Sequence, residues 1–133
     1  MLGAIGATGA TLAAVPDEAV LHTSGERFLR GYQVTDANGA AHFTTVFPGW
    51  YPDRTPHVHV KIRTYSRDNV TSTFVSQLYF DEAVTDAVLA RRMYATRGKR
   101  DTTNAHDQLF DPRMVVPLTA AGNGYAGMFT LRV

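Results

Sequence analysis

The chain has 133 residues, a formal net charge of +1 at pH 7, no cysteine, 44% hydrophobic and 19% charged residues. That length and apolar content suit one domain with a real core. The near-zero charge gives no electrostatic pull toward nucleic acid or an acidic membrane surface, and the lack of Cys excludes disulfides and thiolate metal sites.

The first fifteen residues, MLGAIGATGATLAAV, are small, apolar and uncharged, and they lack the basic start of a secretory signal. No apolar run here or later approaches the length of a membrane span. Gly at this density weakens helix and strand alike, so residues 1–26 are expected to be a flexible tail or linker and 27–133 the folded domain. From Arg27 the pattern changes. Phe28, Leu29, Tyr32 and Val34 fall in a strand-like run, and Asp36-Ala37-Asn38-Gly39 is a turn with Gly where positive φ is needed. Ala41 to Phe47 alternates, with Phe43, Thr45 and Phe47 on one face and His42, Thr44 and Val46 on the other. Two strands around DANG predict a hairpin.

Pro48-Gly49 ends that strand, and Pro52 and Pro56 keep the chain irregular up to His57. HVHVKIRTY then predicts a strand rich in β-branched residues, Asp68-Asn69 a turn, and TSTFVSQLYF (71–80) the next strand. Residues 81–94 open on acids and close on arginines, which predicts one helix. Residues 95–117 look like a long loop. Asn123-Gly124 predicts a turn, and 125–133 alternates as a last strand. One helix among several strands points to an all-β fold, a two-layer antiparallel β-sandwich with one short helix. Phe43, Phe47, Phe74 and Phe129 are the expected core.

The segment PGWYPDRTPHVHV (48–60) concentrates the chemistry. On a strand, residues i and i+2 share a face, so His57 and His59 project together while Val58, Val60 and Ile62 face the other layer. His-x-His on a strand offers a metal two nitrogen ligands. A bare pair of this kind is also often just two hydrogen-bonded or exposed histidines. Tyr51 stands on a Pro-bounded turn six residues before His57, with Arg54 between. A phenol ionises near pH 10, so only a highly charged, hard cation would recruit it as tyrosinate, and an Arg would help to hold a second anionic oxygen. An aromatic covering a sheet end and a surface cation are the plain alternatives for these two.

The run FLRGYQVTDANGAAHFTTVFPGWYPDRTPHVHVKI resembles the core of the intradiol ring-cleavage dioxygenases, Fe(III) enzymes of the catechol and protocatechuate dioxygenase type. The likeness continues through SQLYFDEAVTDAV, RGKRDTTNAHDQLF and LTAAGNGYAGMFTLRV, covering about residues 27–133. It is nearest to a branch with short PGWYxxRTxHxH spacing, whose members are often exported bacterial proteins. The resemblance implies a two-sheet antiparallel sandwich. It implies Tyr51, His57 and His59 as iron ligands, Arg54 facing a bound catecholate, and Gln77 lining the same pocket, although an exposed strand Gln is the alternative for Gln77. It also implies a small aromatic diol and O2 as reactants, a muconate-type diacid as product, and Fe(III) as cofactor.

The chain departs from that pattern at one ligand. The family adds a second Tyr upstream, and residues 1–31 here contain no Tyr and no Trp. Tyr32 lies at a position that varies in the family, and His22 and His42 are weak substitutes. One anionic oxygen in place of two predicts weaker Fe(III) binding and impaired turnover. A non-catalytic β-sandwich binding module, or a fragment keeping a vestigial metal site, is the competing reading. Zn or Cu on the same three residues is a third. The sandwich is further expected to be incomplete on its N-terminal side, leaving an open edge that favours a homodimer.

Overall fold

Two β-branched runs joined by a tight turn organise the fold. Val58, Val60 and Ile62 give one strand an apolar face, and Phe74 and Leu78 give it to the next. The computed structural model describes residues 2–6, 10–13 and 29–133. Its strands are β1 (Leu2–Gly6), β2 (Ala10–Ala13), β3 (Tyr32–Val34), β4 (Ala40–Phe43), β5 (His57–Ser66), β6 (Asn69–Tyr79), β7 (Leu118–Ala121), β8 (Gly124–Gly127) and β9 (Phe129–Thr130). Two helices, α1 (Glu82–Leu89) and α2 (Arg92–Ala95), follow β6. Sheet orders are β4-β1-β9, β3-β2-β5-β6 and β7-β8. Among the described strands every ladder is antiparallel except β1 with β9, and Tyr79 makes an isolated parallel bridge to Val115. The molecule is thus β-rich and largely antiparallel with few helices, as its sequence predicts.

β5 and β6 pair over most of their length, from His57 opposite Tyr79 to Ser66 opposite Asn69, and Arg67 takes a positive φ of 54° to turn the chain. Val60, Ile62, Leu78, Val116 and Leu131 form the buried cluster, with Phe43, Phe74 and Phe129 half-buried against it. Phe47, expected in the same core, instead packs on the fully buried Phe80 at 4.6 Å between ring centroids.

Several elements differ from expectation. Within the stretch expected to be a flexible tail, residues 2–6 and 10–13 are strands, β1 against β4 and β9, β2 against β3 and β5. Residues 14–26 of the expected tail lie outside the described residues, His22 among them. DANG makes its turn: Asp36 Oδ1 accepts from Asn38 N and Ala40 N, and Gly39 has φ 76°. The flanking strands do not form a hairpin with each other, however. β3 joins β2, and β4 joins β1, so the turn carries the chain from one sheet to another. β4 ends at Phe43, yet alternating exposure continues to Phe47. Side-chain period survives there without a ladder partner among the described residues.

The expected helix over 81–94 is two. Asp81 caps α1, accepting from Ala83 N at 2.8 Å and Val84 N at 3.3 Å. Arg91 then leaves the helical region (ψ 145°) and α2 begins after it. Its guanidinium donates to the Asn123 carbonyl and lies 5.7 Å over the Tyr125 ring, a tertiary anchor at the break. The last strand is likewise divided into β8 and β9, and its turn centres on Gly122, at φ 56°. Gly127 lies where a Cβ would meet the Pro117 carbonyl oxygen at 2.7 Å, which accounts for a glycine at that crossing. Among the described residues no helix is long and apolar enough to cross a membrane.

Candidate metal centre

Local geometry builds the site from its turn outward. Pro52 presets its own φ, and Asp53 takes the left-handed conformation (φ 66°). The turn closes with Arg54 N donating to Tyr51 O at 3.2 Å. Buried Thr55 and Pro56 then lead into β5. On β5 the period of two sets His57 and His59 on one face, and register places Tyr79 opposite His57 and Gln77 opposite His59. Four side chains of two strands therefore face the same side as the turn.

Three donor atoms converge there. Tyr51 Oη lies 3.1 Å from His57 Nε2, and His59 Nε2 lies 3.1 Å from the same atom. His57 Nδ1 is 2.7 Å from the Thr55 carbonyl, which can only accept, so Nδ1 carries the proton and Nε2 presents a lone pair. Burial, reinforced by the Arg54 charge and by His59, lowers the His57 pKa to about 4 against the opposing Thr55 bond and Asp107. At neutral pH its Nε2 is therefore a bare acceptor with a phenol and a second imidazole crowded against it.

Arg54 joins this group from the turn. Its Nη1 donates to Tyr51 Oη at 3.3 Å and its Nη2 donates to Gln77 Oε1. Its Nε donates to both oxygens of Asp107, at 2.9 and 3.1 Å. Burial pulls the Arg54 pKa down, but the Asp107 bond and the nearby acidic groups outweigh it, and the guanidinium stays more basic than usual. The Tyr79 hydroxyl is 2.7 Å from Gln77 Oε1 and 2.7 Å from the Leu109 carbonyl, so its one proton serves one of them at a time. Burial pushes the Tyr79 phenol up, with the Asp107 charge adding to it, which keeps this second phenol neutral.

All five residues singled out from the sequence, Tyr51, Arg54, His57, His59 and Gln77, thus lie in one cluster. His42 is exposed on β4 and takes no part in it. Trp50 turns away, under Arg97 at 5.6 Å, with its Nε1 buried and unpartnered. Four contributors escaped sequence reasoning: Thr55, Tyr79, Asn104 and Asp107. Tyr79 was within reach, two residues after Gln77 on the same strand. Asn104 and Asp107 belong to the aperiodic loop after α2, where two short 3-10 turns, Asn104–His106 and Pro112–Met114, replace any regular pattern. Asn104 Oδ1 accepts from Thr55 Oγ1 at 2.7 Å, and its Nδ2 donates to the Phe80 carbonyl.

The donor set suits a cation. Two ligands each ~2.1 Å from one metal at a right angle lie ~3.0 Å apart, close to both separations seen here. Among the described residues no three His, Cys, Asp or Glu side chains form a metal cluster.

No protein-family model and no curated protein matches the chain. Solved structures do. An intradiol ring-cleavage dioxygenase from Tetranychus urticae is similar at 25% identity and a TM-score of 0.78, over 98% of this chain and 78% of that one. The dioxygenase domain of a dioxygenase carbohydrate-binding protein fusion from the cellulolytic bacterium Streptomyces sp. SirexAA-E is similar at 27% identity and a TM-score of 0.65, over 97% and 76%. Chlorocatechol 1,2-dioxygenase from Pseudomonas putida shares the fold, at 18% identity and a TM-score of 0.60, over 97% of this chain and 57% of that one. The resemblance carried by the sequence motifs is therefore a resemblance of structure as well.

Proposed function

We propose that this chain carries an intradiol-type dioxygenase site, with Fe(III) held by Tyr51, His57 and His59 and a catecholic aromatic as substrate. The observation that carries the reading is the placement of Tyr51 Oη and His59 Nε2 each 3.1 Å from His57 Nε2. The likeness of the whole chain to dioxygenases supports it. The same reading takes the β-rich fold as a two-layer sandwich. For a homodimer, the edge we propose is β6, uncharged and paired with β5 alone among the described strands, in place of the N-terminal edge expected from the sequence.

Ferric ion, when bound, supplies Lewis acidity and the redox partner for opening an aromatic diol with O2 to a muconate-type diacid. The residues do the rest. His57 is held as the Nδ1–H tautomer by Thr55, so its lone pair is always aimed at the shared point. Arg54 offers donors at the Tyr51 oxygen and can offset negative charge on an incoming diolate. Gln77 borders the same space and is held by Arg54.

Tyr51 is the single phenol at this point among the described residues, while Tyr79 is kept neutral and bonded elsewhere. Fe(III) prefers anionic oxygen, so one tyrosinate with two imidazoles holds it less tightly than two tyrosinates with two imidazoles. Weak iron retention and slow turnover follow. Metal analysis after ferric loading, paired with oxygen uptake in the presence of catechol, tests both. The expected result is partial iron occupancy that falls further in His57→Ala and His59→Ala, with slow uptake yielding a diacid. Iron binding indifferent to both histidines would overturn the site. Full occupancy with brisk uptake would overturn the ligand-count argument.

A further inference from the structure

The buried loop carboxylate of Asp107 is not one of the metal-donor atoms, yet it has the most constrained surroundings in the cluster. Its side chain is wholly buried. It accepts from Arg54 Nε with both oxygens, from Thr55 N at 3.0 Å and from Leu109 N at 2.8 Å. Two of those donors are backbone groups, so the carboxylate cannot swing without breaking them. The short Asn104–His106 turn before it is fastened in turn, through Asn104 to Thr55 Oγ1 and to the Phe80 carbonyl.

A long Arg side chain has several rotatable bonds and would sample many orientations on its own. Here its Nε edge is taken by a fixed carboxylate, which leaves the Nη edge pointing at Tyr51 Oη and Gln77. We propose that Asp107 is a positioning residue: it presets the Arg54 guanidinium against the Tyr51 oxygen and Gln77 before any metal or substrate arrives. Fixing those donors beforehand means that no reorganisation is needed when charge appears at the site. The first part of this inference stands on geometry alone. Its consequence for the site rests on the metal-centre reading, and the two separate in the test.

The test uses Asp107→Asn, which keeps the volume and one acceptor, with Asp107→Glu as a second variant that keeps the charge but displaces it. Arg54→Gln assigns the Arg54 signals by their loss. In metal-free protein, the Arg54 Nε–H resonance is followed by 1H–15N NMR. Loss of one charge-assisted bond predicts exchange with solvent at least about 10-fold faster in Asp107→Asn, with His57 and His59 ring signals still dispersed. Should Asp107→Asn fail to fold, the same measurement on Asp107→Glu is expected to give faster exchange too. Unchanged exchange in the folded variants overturns the proposal.

In ferric-loaded protein, the visible phenolate-to-iron absorption band is compared at equal folded fraction. Asp107→Asn and Arg54→Gln are expected to shift it in the same direction, since both remove the oriented guanidinium from the Tyr51 oxygen. A merely structural Asp107 would leave the band in place, and that result also counts against the proposal. Absence of any band in the unaltered protein, with the NMR result intact, would refute the metal centre and spare the positioning role.

Discussion

His57 makes a quantitative prediction about acid. Its imidazole is buried, donates Nδ1–H to Thr55, and has a pKa lowered from 6.5 to about 4 in the folded chain. Above pH 6.5 it is neutral folded or unfolded and costs nothing. As pH falls from 6.5 toward 4, the unfolded chain takes up a proton that the folded chain refuses, and stability is lost. Below about 4 both forms are protonated and the loss levels off. A gap of about 2.5 pKa units at roughly 1.4 kcal/mol each gives a ceiling of roughly 3.5 kcal/mol, most of it spent by pH 4.5. Asp36, lowered by the Ala40 and Asn38 backbone N–H groups, and Asp111, lowered by Arg113, lose their contributions at lower pH than this window. Urea denaturation of chelator-treated protein at pH 7.5 and pH 4.5 measures the loss, with His57→Asn as the control. Asn can still donate to the Thr55 carbonyl but does not titrate. The native chain should lose roughly 2–3 kcal/mol more than the variant over that interval. Equal losses in the two proteins would mean that His57 is hydrated in solution, and the argument for a bare Nε2 would fall.

Gly127→Ala should cost about 1–3 kcal/mol in urea denaturation, because the new Cβ meets the Pro117 carbonyl oxygen at 2.7 Å and Leu118 Cδ2 at 2.6 Å; a smaller effect means that β7 and β8 separate more easily than drawn. Asp53→Gly should raise stability by up to about 1 kcal/mol with iron binding unchanged, since Gly accepts the left-handed conformation freely; a loss would show that the Asp53 carboxylate itself supports the turn. β6 pairs only with β5 among the strands described and carries no charge from Asn69 to Tyr79, so light scattering over a concentration series should show dimer formation, abolished by Thr73→Lys. Dimers that persist in that variant would move the interface elsewhere.

The histidine pair was legible because a strand period is short and rigid: two His one residue apart can only project together. The Tyr51 turn was legible because Pro and a following Asp leave few backbone choices. Strand pairing was less so. Asp36–Gly39 reads as a hairpin turn, yet the partners of β3 and β4 are β2 and β1, drawn from a Gly-rich stretch with no strand signature. Local turn chemistry specifies the reversal but not which neighbour supplies the ladder. The helix break at Arg91 depends on contacts to Asn123, 32 residues on, and to Tyr125 beyond it, which no window around α1 contains. Asp107 shows the same limit at the site. It lies 53 residues from Arg54 in a loop without periodicity, and only the fold brings carboxylate and guanidinium together.

The central claim, that Tyr51, His57 and His59 share one ferric ion, is tested most directly by anomalous diffraction at the iron edge from crystals grown with Fe(III). The account predicts a single strong peak about 2.0–2.2 Å from Tyr51 Oη, His57 Nε2 and His59 Nε2, with the Thr55 bond to His57 Nδ1 retained. A peak bound to other side chains, or imidazoles still in contact with no peak between them, would contradict it.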